Sequence, residues 1–230
     1  MKILAIDTAT EACSAALLID AEVQGKYRIA PREHSHLILQ MVQDLLSESG
    51  TKMAQLDAIA FGRGPGSFMG LRIAAGVAQG MAFAHDLPVI PVSTLKTIAQ
   101  VAHEETGSEN ILTAIDARMG EVYWAAYSLE DKTWRAEVEE TVVPPEQAQL
   151  PANMTPGWIG AGTGWSSYKE KLPTANCRLP TLLPDCLPSA EAMARLAAAD
   201  FIAGNIVTAE QAVPVYLRNN VAKKPKAVSF

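Results

Sequence analysis

Cysteine is scarce in this sequence and poorly placed for chemistry. The 230 residues hold three, Cys13, Cys177 and Cys186. An odd number without C-x-x-C spacing excludes a disulfide framework and a zinc site of the usual spacing. Histidine is nearly as sparse: His34, His36, His85 and His103. No H-x-x-x-H or H-E-x-x-H spacing occurs, so no metal centre can be argued from them. No apolar run reaches the roughly 18 residues that a membrane span requires. Only six residues precede Asp7, too few for the apolar stretch of a secretion signal, so a cytoplasmic protein is expected. Positive charge is in deficit, 19 Lys and Arg against 25 Asp and Glu, which excludes a broad nucleic-acid footprint. The one basic cluster, Lys223, Lys224 and Lys226, reads as a solvated end, with a local phosphate contact as the lesser alternative.

What is present is apolar bulk in short segments. Hydrophobic residues make up 49% of the chain and charged ones only 19%, so a sizeable core can form. "MKILAI", "ACSAALLID" and "EVQGKYRIA" read as three strands, the third at a sheet edge. Leu37, Met41 and Leu45 recur at i, i+4, i+8 beside a second row, Ile38, Val42 and Leu46. That is a helix, with Gly50 placed as its C-cap. "LDAIAF" is a strand, and a helix is predicted from about Phe68 to His85. "LPVIPV" follows as a strand, and Ser93 caps a helix to about Glu105. The pattern then restarts: "ILTAID" at 111–116 repeats "ILAID" at 3–7, and each is followed by a strand carrying Ala-Ala. Two similar halves, each opening on a strand–Asp–strand hairpin, imply a duplicated α/β architecture. The second half is less regular. It offers a strand at "WRAEVEET", a proline-rich connection with one short helix, and "WIGAGTGWSSYKEKL" as strand, glycine turn and helix. A helix with Ser189 as cap and Gly204 as stop comes next, then the extended "AVPVYLRNN".

Three motifs carry candidate chemistry. "GRGPGSFMGLR" at 62–72 lacks the Walker lysine, because Gly66 is followed by Ser67 and Phe68. It is no nucleophile elbow either, since Ser67 directly follows Gly66. It reads as a turn feeding a helix, with weak anion attraction at most. That helix holds Gly70, Gly76 and Gly80, each costing up to about 1 kcal/mol relative to alanine. Backbone-close packing is the reason to expect for them. Asp7 and Asp116 end equivalent strands before polar turns, a pattern that suits a metal-bound phosphate and equally suits a plain strand end. "GAGTG" at 160–164 could bring its backbone to a ligand or merely turn the chain.

Taken together, "MKILAIDTAT", "FGRGPGSFMGLRIAAGVAQGMAFAHDLPVIPVSTLKTIA", "AIDARMGEVYWAAY" and "PVYLRNNVA" resemble the bacterial TsaB (YeaZ) family along the whole chain. The resemblance implies an α/β, duplicated actin-like, Hsp70-like, sugar-kinase-like (ASKHA) fold: two subdomains, each a mixed sheet flanked by helices. It divides the chain at residues 1–105 and 106–230, with the last segment packing back on the first. It implies a non-catalytic relative and partner of TsaD, working with TsaE on N6-threonylcarbamoyladenosine in tRNAs that read codons starting with A. In TsaD, "IPVHHMEGH" supplies two metal-binding histidines. The matching stretch here is "IPVSTLKTI", with Thr94 and Ile98 at the ligand positions, so no metal and no cofactor are expected.

The resemblance also places a partner surface on the first two helices, at roughly 33–49 and 67–85. Leu37, Met41, Leu45, Met69, Ile73, Gly76 and Gly80 are its candidates, and part of that set must face the chain's own sheet. Without TsaD the same surface would pair two copies of the chain, and tRNA would be met only through the complex. A vestigial nucleotide cleft would hold Asp7, Thr8, Asp116, Gly162 and Gly164. Two enzymatic alternatives stand beside this reading. One is a nucleotide-dependent phosphotransferase using those groups; the other is a peptidase, which has neither a metal motif nor an identifiable nucleophile.

Overall fold

A computed structural model describes residues 1–152, 154–173, 179 and 181–218. Cys177, the three C-terminal lysines and the end of "YLRNN" lie outside the described residues. The first half runs β1 (Lys2–Asp7), β2 (Ala12–Ile19), β3 (Glu22–Ile29), α1 (His34–Ser49), β4 (Ala58–Gly64), α2 (Phe68–His85), β5 (Val89–Ser93) and α3 (Thr94–Thr106). The second runs β6 (Asn110–Asp116), β7 (Val122–Glu130), β8 (Thr133–Val143), β9 (Ile159–Ala161), α4 (Thr163–Tyr168), β10 (Leu182–Leu183) and α5 (Ala190–Ile202). The two five-stranded sheets are ordered β3-β2-β1-β4-β5 and β10-β9-β6-β7-β8. Read from the edge hairpin inward, the order is the same in both. The first three strands of each half are antiparallel, and the fourth and fifth join parallel. The duplication read from "ILAID" and "ILTAID" is therefore a repeat of topology, and the architecture is the duplicated ASKHA type.

Alternation along β1 explains the layering, since successive side chains leave a strand on opposite faces. Leu4 and Ile6 face outward and meet Ile38, Met41, Val42 and Leu45 of α1 and Ala74, Ala78 and Ala82 of α2. Ile3 and Ala5 face inward, into a core shared by both sheets. Two helices fill that shared layer. Leu95, Ile98 and Ala102 come from α3, and Ala190, Met193, Ala194 and Ala197 come from α5. The helices exchange between halves: α5 packs on β1 and β2, while α3 packs mainly on β6. The many alanines of α5 let it approach the first sheet closely. On the far face of the second sheet, Trp124 and Trp165 pack with their rings tilted by 51° and centroids 5.7 Å apart, closing a third core.

The segment after α5 returns to the first half. Val207 bridges Val89, Gln79 Nε2 donates to the Ala212 carbonyl at 3.0 Å, and the Val215 amide donates to the Arg63 carbonyl at 2.7 Å. Arg218 then crosses to the second half and pairs with Glu121 of the β6–β7 turn. No helix among the described residues is long and apolar enough to cross a membrane.

Candidate functional site

The glycine loop is seated on the turn after β1. The Ser67 amide donates to the Ala9 carbonyl at 2.7 Å, and Thr8 Oγ1 donates to the Gly70 carbonyl at 2.6 Å. A Cβ on Gly70 would fall inside the Thr8 carbonyl oxygen, and one on Gly66 inside that of Ala9. Gly162 and Gly164 meet Ala114 of β6 in the same manner. These glycines let helix N-termini dock on the paired hairpins, as the loop's reading as a turn required. Ser67 caps α2 by accepting from the Gly70 amide at 3.4 Å.

The other two helix glycines have no such reason among the described residues. Gly76 and Gly80 are exposed, and a Cβ on either would meet nothing within 4 Å. With Met69 (62% exposed), half-buried Ile73 and Phe83 (72% exposed) they form one stripe at 69, 73, 76, 80 and 83. That 4-3-4-3 spacing keeps one face of a helix. On α1, Leu37 is half-buried and Leu39 is 55% exposed, whereas Met41 and Leu45 are buried against the chain's own sheet. Phe83 and Leu39 escaped the sequence reading. Phe83 was detectable there, three positions after Gly80 in the same heptad-like series.

The paired aspartates have different fates. Asp7 is fully buried. Its Oδ1 accepts from the Ala9 amide at 3.0 Å, and its Oδ2 has no hydrogen-bond partner among the described residues. α5 sits over it: the Ala190 amide donates to Ser14 Oγ at 3.0 Å, and Met193 packs at Gly62 beside the carboxyl. Loss of water pushes the Asp7 carboxyl up to about 7, against a smaller lowering by the Ala9 amide. Thr8 is also fully buried. Asp116 lies at the surface of a cleft, with its carboxylate already engaged. The Arg118 amide donates to Oδ1 at 2.8 Å, the Arg118 guanidinium to Oδ2 at 3.1 Å, and the Tyr168 hydroxyl to Oδ1 at 3.0 Å. Thr94 and Ile98 are both core residues with no exposed surface. Burial also raises both described thiols, Cys13 to about 11 and Cys186 to about 12, so neither is a thiolate nucleophile at neutral pH.

The cleft holds about 950 Å³ and opens between the halves. The turn after β1 (Ala9–Glu11), the α2 N-terminus and the β6–β7 turn (Asp116–Met119) line it, together with residues 215–218. Arg72 stacks on Phe68, 3.7 Å from the ring centroid, and its Nε donates to the Tyr216 hydroxyl at 3.3 Å. Arg218 donates to Glu121 and, at 3.1 Å, to the Ala117 carbonyl. Arg218 thereby braces the turn that carries the exposed Met119.

Fold and site define a duplicated ASKHA-type protein with a cleft between its halves and an apolar stripe along one outer helix. A family model described as "TsaD: tRNA N6-adenosine threonylcarbamoyltransferase" matches residues 26–226. The tRNA threonylcarbamoyladenosine biosynthesis protein TsaB of Escherichia coli (strain K12) is 48% identical over 229 residues, covering 97% of each chain. Its namesake from Haemophilus influenzae is 41% identical over 97% of this chain and 96% of its own. The solved structure described as "YeaZ from Pseudomonas aeruginosa" superposes with a TM-score of 0.89 at 48% identity, over 94% of this chain and 99% of that one. The chain belongs to the TsaB family.

Proposed function

We propose that the chain is a non-catalytic partner of a TsaD-type transferase in forming N6-threonylcarbamoyladenosine in tRNAs that read codons starting with A. The observation that carries this reading is the α2 stripe. Two exposed glycines in a helix interior lower stability unless something approaches their backbone. Met69, Ile73 and Phe83 around them supply the apolar contact area. Leu37 of α1, half-buried in the row of Met41 and Leu45, is the α1 candidate beside the stripe in the unit at residues 1–105, while Met41 and Leu45 themselves are buried against the sheet. A TsaE-type protein joins the pair, tRNA is met through the assembly, and in the partner's absence two copies cover the stripe.

The lack of a catalytic role is supported by the state of the paired aspartates. Asp7 and Thr8 are walled off from solvent, and Asp116 is neutralised by Arg118. Gly162 and Gly164 serve packing on Ala114. A phosphotransferase would need an accessible carboxylate to orient its metal. The test is pairing with the TsaD-type partner, measured by calorimetry, and tRNA modification in the reconstituted system. Met69→Asp with Phe83→Asp is expected to abolish both, because two buried charges would lack partners. Unchanged pairing would remove the stripe from the interface.

A further inference from the structure

A sheet edge offers a row of free N–H and C=O groups to any other strand, and folded proteins blunt such rows. Three of the four edges of these two sheets are blunted. β5 is closed by Val207, which exchanges hydrogen bonds with Val89 at 2.8 and 2.9 Å. β10 is two residues long. β8 is bulged, its pairing with β7 slipping twice between Trp124 and Tyr127. β3 has none of these devices. It keeps an unbroken register with β2 over eight residues and contains no proline. On it Tyr27 is 48% and Ile29 54% exposed.

The direction of its free backbone groups follows from the ladder. The Ala30 amide donates to the Glu11 carbonyl at 3.0 Å, one step beyond the pairing of Ala12 with Ile29. In an antiparallel ladder, residues bonded to the neighbour alternate with residues whose N–H and C=O point away. Counting back by twos, Arg28, Lys26, Gln24 and Glu22 face β2. Ile29, Tyr27, Gly25 and Val23 therefore point outward, and no hydrogen bond from elsewhere among the described residues reaches their backbone.

The strand is complementary to itself when reversed about Gly25. Antiparallel self-pairing there sets Gly25 against Gly25 and Val23 against Tyr27, all with outward backbone groups. On the other face it sets Glu22 against Arg28 and Gln24 against Lys26. Glu22 and Arg28 are exposed and make no ion pair among the described residues, whereas Lys26 is held by Glu48 of α1 at 2.7 Å. Opposite charges directly across a ladder attract, and like charges repel. An axis at Lys26 would set two lysines against each other. One at Gln24 would draw Asp20 and Ala21 of the turn into the ladder.

We infer that β3 is a pairing edge for a second copy of this chain, joined antiparallel about a two-fold axis at Gly25. The contact is isologous, so each copy contributes the same residues, and main-chain bonds supply its affinity as in other strand additions. It is small beside the roughly 1,600 Å² of a standard interface, and the Glu191 side chain, which lies over Gly25, must turn aside as the copies meet. The pairing is accordingly weak and concentration-dependent. It is separate from the α2 stripe, which stays free for the TsaD-type partner, and it does not rest on the partner-docking reading.

The experiment is sedimentation equilibrium of the full chain carrying Met69→Asp with Phe83→Asp, which removes self-association through the stripe. A monomer–dimer equilibrium is expected at low salt. Arg28→Glu or Glu22→Arg should weaken it about tenfold, because two symmetry-related pairs turn from attraction to repulsion. Combining both changes in one chain should restore it, and so should mixing the two single variants. These residues are exposed and unpaired, so the substitutions leave the fold intact. Hydrogen exchange should show the Val23, Gly25 and Tyr27 amides protected as the dimer forms. A stripe variant that stays monomeric up to its solubility limit would overturn the proposal while leaving the stripe reading intact. A dimer indifferent to the charge changes would overturn it too. So would β3 amides protected only on adding the TsaD-type partner, which would assign the edge to that protein.

Discussion

Replacing Gly76 and Gly80 by alanine should make the isolated chain more stable, whereas the same change at Gly70 should damage it. The three glycines share one helix, so their local sequence context is nearly constant. Only the surroundings differ. At Gly76 and Gly80 a new Cβ meets nothing within 4 Å, so the substitution adds helix propensity alone, up to about 1 kcal/mol per site. The pair should gain up to about 2 kcal/mol, which for a chain of this size raises Tm by about 4–8 °C. At Gly70 the Cβ would fall on the Thr8 carbonyl oxygen, a backbone atom of the buried turn that follows β1. Relief requires α2 to move off the hairpin, and the overpacking cost is about 1–3 kcal/mol or more. Denaturant unfolding at low protein concentration is the assay, since self-association through the same stripe would add its own stability. The reasoning fails if Gly76→Ala and Gly80→Ala destabilise the chain, or if Gly70→Ala is neutral. A stabilised double variant that pairs less well with its partner would show that the glycines are retained for docking, at the expense of stability.

Other outcomes follow from the buried polar groups. The Asp7 carboxyl has its folded pKa raised to about 7 from 3.8; the fold favours the neutral form, so its contribution to stability falls as pH rises from about 4 through 7. Urea midpoints should show Asp7→Asn gaining on the parent between pH 5 and 8, and a constant gap between them would contradict the burial argument. Arg63 makes a two-pronged pair with Glu140 across the two sheets, at 3.0 and 3.1 Å. Glu140 is part-buried and keeps the Tyr127 hydroxyl as a donor at 3.1 Å, so Arg63→Ala should cost about 1–3 kcal/mol, and a second change, Glu140→Gln, should restore part of that loss. Ser93 accepts from the Lys96 amide at 3.1 Å as the cap of α3, so Ser93→Ala should cost about 1 kcal/mol in the same unfolding assay.

Local signals carried much of this fold. The run read as a helix from about Phe68 to His85 gave α2 its observed bounds, and the Asp7 and Asp116 hairpins gave the duplication. Tertiary placement was beyond them. β10 is two residues long, too short for any periodicity. Nothing in "SAEAMARLAAADFIAG" says that α5 packs on the first sheet, so the entombment of Asp7 beneath a helix far along the chain was invisible. In α1 the two apolar rows are equivalent by pattern, and packing alone decides that Ile38, Met41, Val42 and Leu45 are buried while Leu37 of one row and Leu46 of the other stay half-buried.

The account rests on a docking face without chemistry of its own. Reconstituted tRNA modification, run with a TsaD-type partner and this chain carrying either Asp7→Asn or Met69→Asp with Phe83→Asp, tests it most directly. The account predicts that Asp7→Asn keeps full pairing and full activity, and that the stripe variant loses both together. Activity abolished by Asp7→Asn with pairing intact, or retained by the stripe variant, would contradict it.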